Sequence, residues 1–207
     1  MKLDLHVHSK YSKDSLNKPE TIIKMAKKRG LNGVAVTDHG TIKGGMVTKK
    51  MNHDKDFEVI VGSEIKTEYG DIIGLFLQEE IVSRIFIEVA EEIKDQDGLV
   101  ILAHPYRKGI TFPEKLLERI DLIEGLNARS KKGLNVMALE LVKKHKKPIT
   151  AGSDAHLPFE IGKCRTLIEP NIKNNLIRGN TSVEGTESNY YFVHGLSFST
   201  EIVKKVF

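Results

Sequence analysis

The 207-residue sequence has no tryptophan and a single cysteine, Cys164, and aromatic residues make up only 6% of it. One thiol excludes an intramolecular disulfide framework and suits a reducing compartment, so the expected location is the cytoplasm. The scarcity of aromatics means that no base-stacking platform is advertised. No apolar run approaches the roughly 20 residues of a membrane span, and no charged segment followed by an apolar stretch opens the chain at Met1. A soluble protein without a membrane partner is expected. No linker, repeat or low-complexity segment breaks the chain before about Pro170.

What is present is length and mixed charge. A chain of this size buries roughly 70% of its unfolded surface, so its core needs no disulfide or metal staple, and a bound metal would serve chemistry rather than folding. The net charge is +4. Lysines are spread through residues 24–29, 49–50, 131–132 and 143–147, mostly in segments of helical period, and read as solvated helix faces rather than a nucleic-acid stripe.

Apolar runs at 3–7, 33–37, 57–63, 71–77, 99–103, 122–126 and 148–151 read as strands. Helical periods at 18–29, 41–51, 82–94, 113–119 and 133–146 lie between them. This alternation predicts an α/β fold, a parallel sheet or barrel wrapped by helices. A single domain over 1–207 is expected, with a core over about 1–170 and a closing segment at 171–207. That segment holds one helix candidate at 172–178 and a polar and aromatic tail that periodicity does not resolve.

Ligands of such folds sit at the carboxyl ends of the strands. There the sequence places His6 and His8, Asp38 and His39, Glu64, Asp71, His104, and Asp154 with His156; His53, His145 and His194 fall elsewhere. Residues i and i+2 of a strand share a face, so His6 and His8 can chelate one ion, and Asp154 and His156 can do the same if extended. Each element has a plainer alternative. Asp38 can satisfy backbone donors in a strand-to-helix turn, Glu64 can cap a helix, and His104 can be a satisfied core histidine. Together they are hard to bury in one mouth without cations. Imidazole and carboxylate without thiolate suit Zn, Mn or Fe. Cys164 lies outside these motifs and reads as a small buried hydrophobe.

The segments His6-Val7-His8, Tyr11-Ser12-Lys13-Asp14-Ser15, Thr37-Asp38-His39-Gly40, Gly62-Ser63-Glu64, Ala103-His104-Pro105 and Gly152-Ser153-Asp154-Ala155-His156 resemble, in order, the PHP family, named for polymerase and histidinol phosphatase. The resemblance implies a distorted, TIM-like (β/α)7 barrel that binds two or three divalent ions and hydrolyses phosphoesters. It implies that His6, His8, Glu64 and Asp154 hold one ion, that Glu64 bridges to a second held by His104, and that Asp14, His39 and His156 hold a third. Many relatives carry a His on the strand after the bridging Glu. This chain has Asp71 there, so either Asp71 ligates in its place or the second ion binds weakly.

The implied reaction is in-line attack on phosphorus by a metal-activated hydroxide, with His39, His156 or a second metal-bound water protonating the leaving group. Arg107, three residues after His104, is the candidate for gripping a phosphate oxygen, and the competing reading is a surface loop arginine. Asn127 and Arg129 either reach the mouth as further substrate-binding residues or serve the loop. Longer relatives insert a small helical domain over the site. Here only 33 positions separate Asp71 and His104, so an open mouth is expected. The expected substrate is a small phosphate ester or nucleotide. The alternatives are 5'-3' trimming of short single-stranded RNA or DNA, and a non-catalytic metal-bound module that supports a partner protein. An amidohydrolase-type barrel is a further alternative, but such enzymes usually bridge their metals with a Lys where this chain offers Glu64.

Overall fold

In the computed structural model, which describes residues 1–206, strands and helices alternate through the first three-quarters of the chain. The strands there are β1 (Lys2–Val7), β2 (Gly33–His39), β3 (Glu58–Thr67), β4 (Gly70–Leu75), β5 (Leu99–Leu102), β6 (Leu122–Asn127) and β7 (Ile149–Gly152). The helices are α1 (Pro19–Lys28), α2 (Lys43–Met51), α3 (Phe86–Asp95) and α4 (Lys132–His145), with a 3-10 helix at Glu114–Arg119. The chain then adds β8 (Cys164–Ile168), α5 (Ile172–Arg178), β9 (Thr181–Gly185) and α6 (Tyr190–Val206). All nine strands form one sheet in the order β7-β6-β5-β4-β3-β2-β1-β8-β9.

The sheet nearly closes on itself. Beyond β7 the chain returns to β1, where Asp154 N donates to His6 O at 2.7 Å and His8 N donates to Ala155 O at 3.0 Å. Leu3, Leu5, Ala35, Ile60, Ile73 and Ile101 belong to one buried cluster inside the barrel. The helices cover the outside. Ile22 and Ala26 of α1 pack with Val7, Val34 and Val36, and Phe86, Val89 and Ile93 of α3 pack with Ile65, Ile72 and Leu102. Pro19 at the start of α1, Glu20 in its first turn and Lys27 and Lys28 in its last turn match the preferences of helix ends.

The alternating pattern does not announce which strands run backwards. β4 pairs antiparallel with both β3 and β5, because only Glu68 and Tyr69 separate it from β3, enough for a hairpin and far too few for a crossover. The reversal brings Asp71, near the start of β4, to the rim where the other strands end. β8 and β9 are also antiparallel additions, β8 pairing with β1 and β9 with β8. The helix expected at 172–178 forms as α5, whereas β8, β9 and α6 go beyond the seven expected strands and their helices. Cys164 is buried as expected, and burial pushes its thiol up. No helix among the described residues is long and apolar enough to cross a membrane.

Candidate metal centre

Local irregularities of β1 aim its histidines. Leu3 and Leu5 belong to the inner cluster, but the register of β1 on β2 shifts between Asp4 and Val7, and past the shift Val7 packs outward under α1. His6 and His8 therefore face the mouth, with Nε2 atoms 3.1 Å apart. Gly152 lets β7 approach at this point, since a Cβ there would collide with the His6 side chain. Glu64 of β3 stands beside His39 of β2 in the parallel register. His104 and Asp154 follow β5 and β7 with φ of 25° and 54°, uncommon for non-glycine residues and frequent at functional sites.

These side chains meet in one cluster. Glu64 Oε2 lies 3.4 Å from His6 Nε2 and 3.2 Å from His8 Nε2, and Asp154 Oδ1 lies 3.6 and 3.2 Å from the same two atoms. The other Glu64 oxygen is 2.8 Å from His104 Nε2, which is 4.0 Å from Asp71 Oδ2. Asp14 Oδ2 lies 3.4 Å from His39 Nε2 and 3.2 Å from His156 Nε2. Four overlapping triads have donor atoms within 4.8 Å of one another: His8–His39–His156, His6–His104–Asp154, His6–His8–Glu64 and Glu64–Asp71–His104. All nine residues expected to ligate metal thus lie together, and Glu64 lies within 3.4 Å of His6, His8, His39 and His104.

The donor set fits divalent cations. Bonds of about 2.1 Å put tetrahedral donors about 3.4 Å apart, close to the spacing of His6, His8, Glu64 and Asp154. Asp14 Oδ1 is buried with no hydrogen-bond partner among the described residues, an acceptor left over once the two histidines are served. The charges are strongly coupled. Burial opposes ionisation, but His39 and His6 beside Glu64 hold its carboxyl well below the usual range, and His6 and Arg107 do the same for Asp154. Burial also favours neutral imidazole, yet Glu64 and Asp14 push His39 up to about 10, and Asp154, Glu124 and Glu64 raise His6 well above its ordinary value. Burial and the neighbouring His8 bring His156 down to about 4.

Glu124, inside the apolar run of β6, carries no motif and is missing from the sequence-based set. It is buried, its Oε1 is 3.0 Å from His6 Nδ1, and its Oε2 accepts from His104 N at 2.8 Å and Asn127 Nδ2 at 3.0 Å. A carboxylate on Nδ1 fixes the ring so that Nε2 faces Glu64, Asp154 and His8, the arrangement usual for the outer partner of a metal-binding histidine. A lone Glu in an apolar strand is the only signal the sequence offered.

The three residues expected to contact substrate fare differently. Arg107 lines the cleft, with Nη1 2.6 Å from Asp154 Oδ2, Nη2 2.5 Å from Asn127 Oδ1, and Nε buried and unpartnered among the described residues. Asn127 is fully buried behind the ligands, tying Arg107 to Glu124 and Asp154. Arg129 also borders the cleft, but its Nε and Nη2 are bound to Glu160, and Nη2 also reaches Ser197. Asp38 has the plainer role, accepting from Ser9 N, Ser9 Oγ and Ser12 Oγ.

The cluster forms the floor of a cleft of about 600 Å³. Lys66, Arg84 and Lys108 border it, and α6 contributes Tyr190, His194 and Phe198. His194, set apart from the motif histidines in sequence, thus reaches the cleft wall.

The chain is 49% identical over 117 residues to the uncharacterized protein MJ1587 of Methanocaldococcus jannaschii, covering 51% of this chain and 68% of that protein. It is 32% identical over 175 residues to MJ0417 of the same organism, covering 79% and 69% respectively. A two-domain protein from Bacteroides vulgatus containing a predicted PHP-like metal-dependent phosphoesterase superposes with a TM-score of 0.79 at 18% identity, over 97% of this chain and 69% of that one, and so shares the fold. The PHP domain model matches residues 4–164, a span that includes every candidate ligand from His6 to His156, and the chain belongs to the PHP domain family.

Proposed function

We propose that the protein is a metal-dependent phosphoesterase that hydrolyses a phosphomonoester of nucleotide size. The observation that carries this reading is the set of four donors from His6, His8, Glu64 and Asp154, spaced as one coordination shell at the floor of a cleft with basic residues on its rim. Divalent ions held there would lower the pKa of a water nucleophile and offset charge on the phosphoryl oxygens.

The chain's own groups supply the rest. Arg107 borders the cleft with its guanidinium against Asp154, placed to grip a non-bridging oxygen as that carboxylate turns to a cation. Of the two histidines beside Asp14, His39 is the more accessible to a bound phosphoester, with 35% of its side chain exposed against 5% for His156. Lys66 and Arg84 provide a positive rim for further phosphate charge, and Lys108, whose Nζ lies 2.5 Å from Asp71 Oδ2, would add to it as that carboxylate turns to a cation. Tyr190 and Phe198 on α6 offer an apolar wall for a planar group, which favours a nucleotide over a small sugar phosphate.

The same rim supports a second reading, trimming of short single strands, in which several phosphates would engage Lys66, Arg84 and Lys108 at once. The test is a screen of Mn- and Zn-loaded protein against aryl phosphates, nucleotides and short labelled oligonucleotides at low and high salt. Turnover of mononucleotides with little salt dependence is the expected result. Preference for oligonucleotides, lost steeply with salt, favours the second reading. No metal-dependent turnover of any phosphoester overturns both.

A further inference from the structure

The loop that presents Asp14 has no regular secondary structure, yet Asp14 must hold its position between two histidines from other segments. The base of the loop is pinned internally: Ser15 Oγ donates to His8 O at 2.9 Å and His156 O at 3.0 Å, and Asn17 Nδ2 donates to His8 O and Ala155 O. Its outer part is held from elsewhere. Lys204, near the end of α6, directs its Nζ to the carbonyl oxygens of Lys10 at 2.6 Å, Ser12 at 2.6 Å and Ser15 at 3.1 Å. These carbonyls bracket Asp14 on both sides, and a single ammonium with three donors gathers them. Lys13 adds a weaker, exposed contact to Glu201, 3.3 Å away.

The helix supplying this ammonium is itself anchored. Arg129 Nη2 donates to Ser197 Oγ at 2.8 Å and to Val193 O at 3.3 Å, while Arg129 also forms a two-point ion pair with the buried Glu160. The backbone of His156 donates to that same Glu160 at 3.1 Å. One network therefore joins α6 to the His156 side of the subsite, and Lys204 joins it to the Asp14 side.

We propose that Lys204 is a positioning residue for the metal centre: by tying residues 10–15 to α6, it holds Asp14 against His39 and His156 and so sets the cation affinity of that subsite selectively. The inference rests on the reading that the cluster binds divalent cations, and it adds a role for a residue 40 positions beyond the end of the family match at 164. Removing the ammonium frees the loop. The Asp14 subsite then weakens, while His6, Glu64, Asp71, His104 and Asp154, which make no hydrogen bond to this loop, keep their cations; His8 meets the loop through Nδ1, 3.1 Å from Ser12 Oγ, and Ser12 stays held by Asp38 Oδ1 at 2.8 Å when Lys204 is removed.

The test is titration of the full chain with Mn²⁺, followed by the electron paramagnetic resonance of the free ion, with metal content measured on the same samples. Asp14→Asn identifies the class of ions that belongs to this subsite. Lys204→Met should weaken that same class by about tenfold or more, the usual effect of losing an outer support, and leave the other class within about twofold. Lys204→Arg, which keeps donors for the carbonyls, should recover most of the loss. Melting of metal-free Lys204→Met should stay within about 3 °C of wild type, as for other surface changes. Unchanged binding in Lys204→Met, equal weakening of every class, or Asp14→Asn removing no class would overturn the inference. Wild-type protein that takes up no Mn²⁺ would instead remove the metal-centre reading beneath it.

Discussion

Glu124→Gln offers a sharp test of how the centre is built, because it removes charge and one acceptor with almost no change of shape. In the native chain one carboxylate serves three donors: the His6 ring through Nδ1, the His104 backbone N–H and Asn127 Nδ2. An amide cannot serve all three. If its NH2 faces His104 N and Asn127 Nδ2, donors face donors. If it is flipped toward His6, Nδ1 must become the acceptor, which places the proton on Nε2 and removes that nitrogen as a ligand. Either outcome loses a charge-assisted hydrogen bond, about 1.5–3 kcal/mol. At about 1.4 kcal/mol per tenfold, this predicts a loss of roughly 10- to 150-fold in affinity for the ion that His6 binds. The assay is Mn²⁺ or Zn²⁺ competition against a chromogenic chelator, with unfolding of the metal-free protein as a control. Affinity within about threefold of wild type would refute the claim that Glu124 orients His6, since losing an outer partner usually costs 10- to 100-fold.

Asp154→Asn should lower Mn-dependent hydrolysis of an aryl phosphate by more than about 100-fold, exceeding the effect of an outer partner, while the metal-free protein remains folded; full activity would remove Asp154 from the ligand set. Cation binding should also release protons. At pH 7 the His39 ring, pushed up to about 10, and the His6 ring, raised well above its ordinary value, carry protons that a cation must displace, so affinity should climb from pH 6 to 8. Calorimetry at pH 7 in buffers of different ionisation enthalpy should report about two or more protons released, since His8 is raised as well, and none would contradict the assignment. Arg129→Met leaves the fully buried Glu160 without its partner and should destabilise the metal-free protein by about 3–5 kcal/mol in urea unfolding. A change below about 1 kcal/mol would mean that Arg129 does not anchor α6.

Most candidate ligands were legible in the sequence because they lie at the end of an apolar run, where a polar, ionisable side chain is unexpected in a core; Asp14, in the loop after β1, was legible only through the resemblance. His6 and His8 stand out by their spacing, and Glu64 and His104 by their neighbours. Glu124 was hidden because its partners come from β1 and from the turn after β5, and nothing local in Leu122-Ile123-Glu124-Gly125 signals them. Asp71 was found by position, although the reversal of β4 that brings it to the rim depends on a two-residue turn that an alternating pattern does not distinguish from a longer loop. The tail resisted reading for a different reason. Thr181–Gly185 is an edge strand with no buried residue, and Tyr190–Val206 leaves Tyr191, Phe192, Phe198, Ile202 and Val203 largely exposed, so neither shows the contrast between faces on which periodicity depends. Arg129 read as a substrate residue because its ion-pair partner, Glu160, lies 31 positions away.

Anomalous diffraction from crystals soaked in Mn²⁺ tests the central claim directly. Peaks are expected inside the cleft, one bounded by His6, His8, Glu64 and Asp154 and another beside Asp14, His39 and His156. A cleft without anomalous density, with Mn²⁺ only at scattered surface carboxylates, would contradict it.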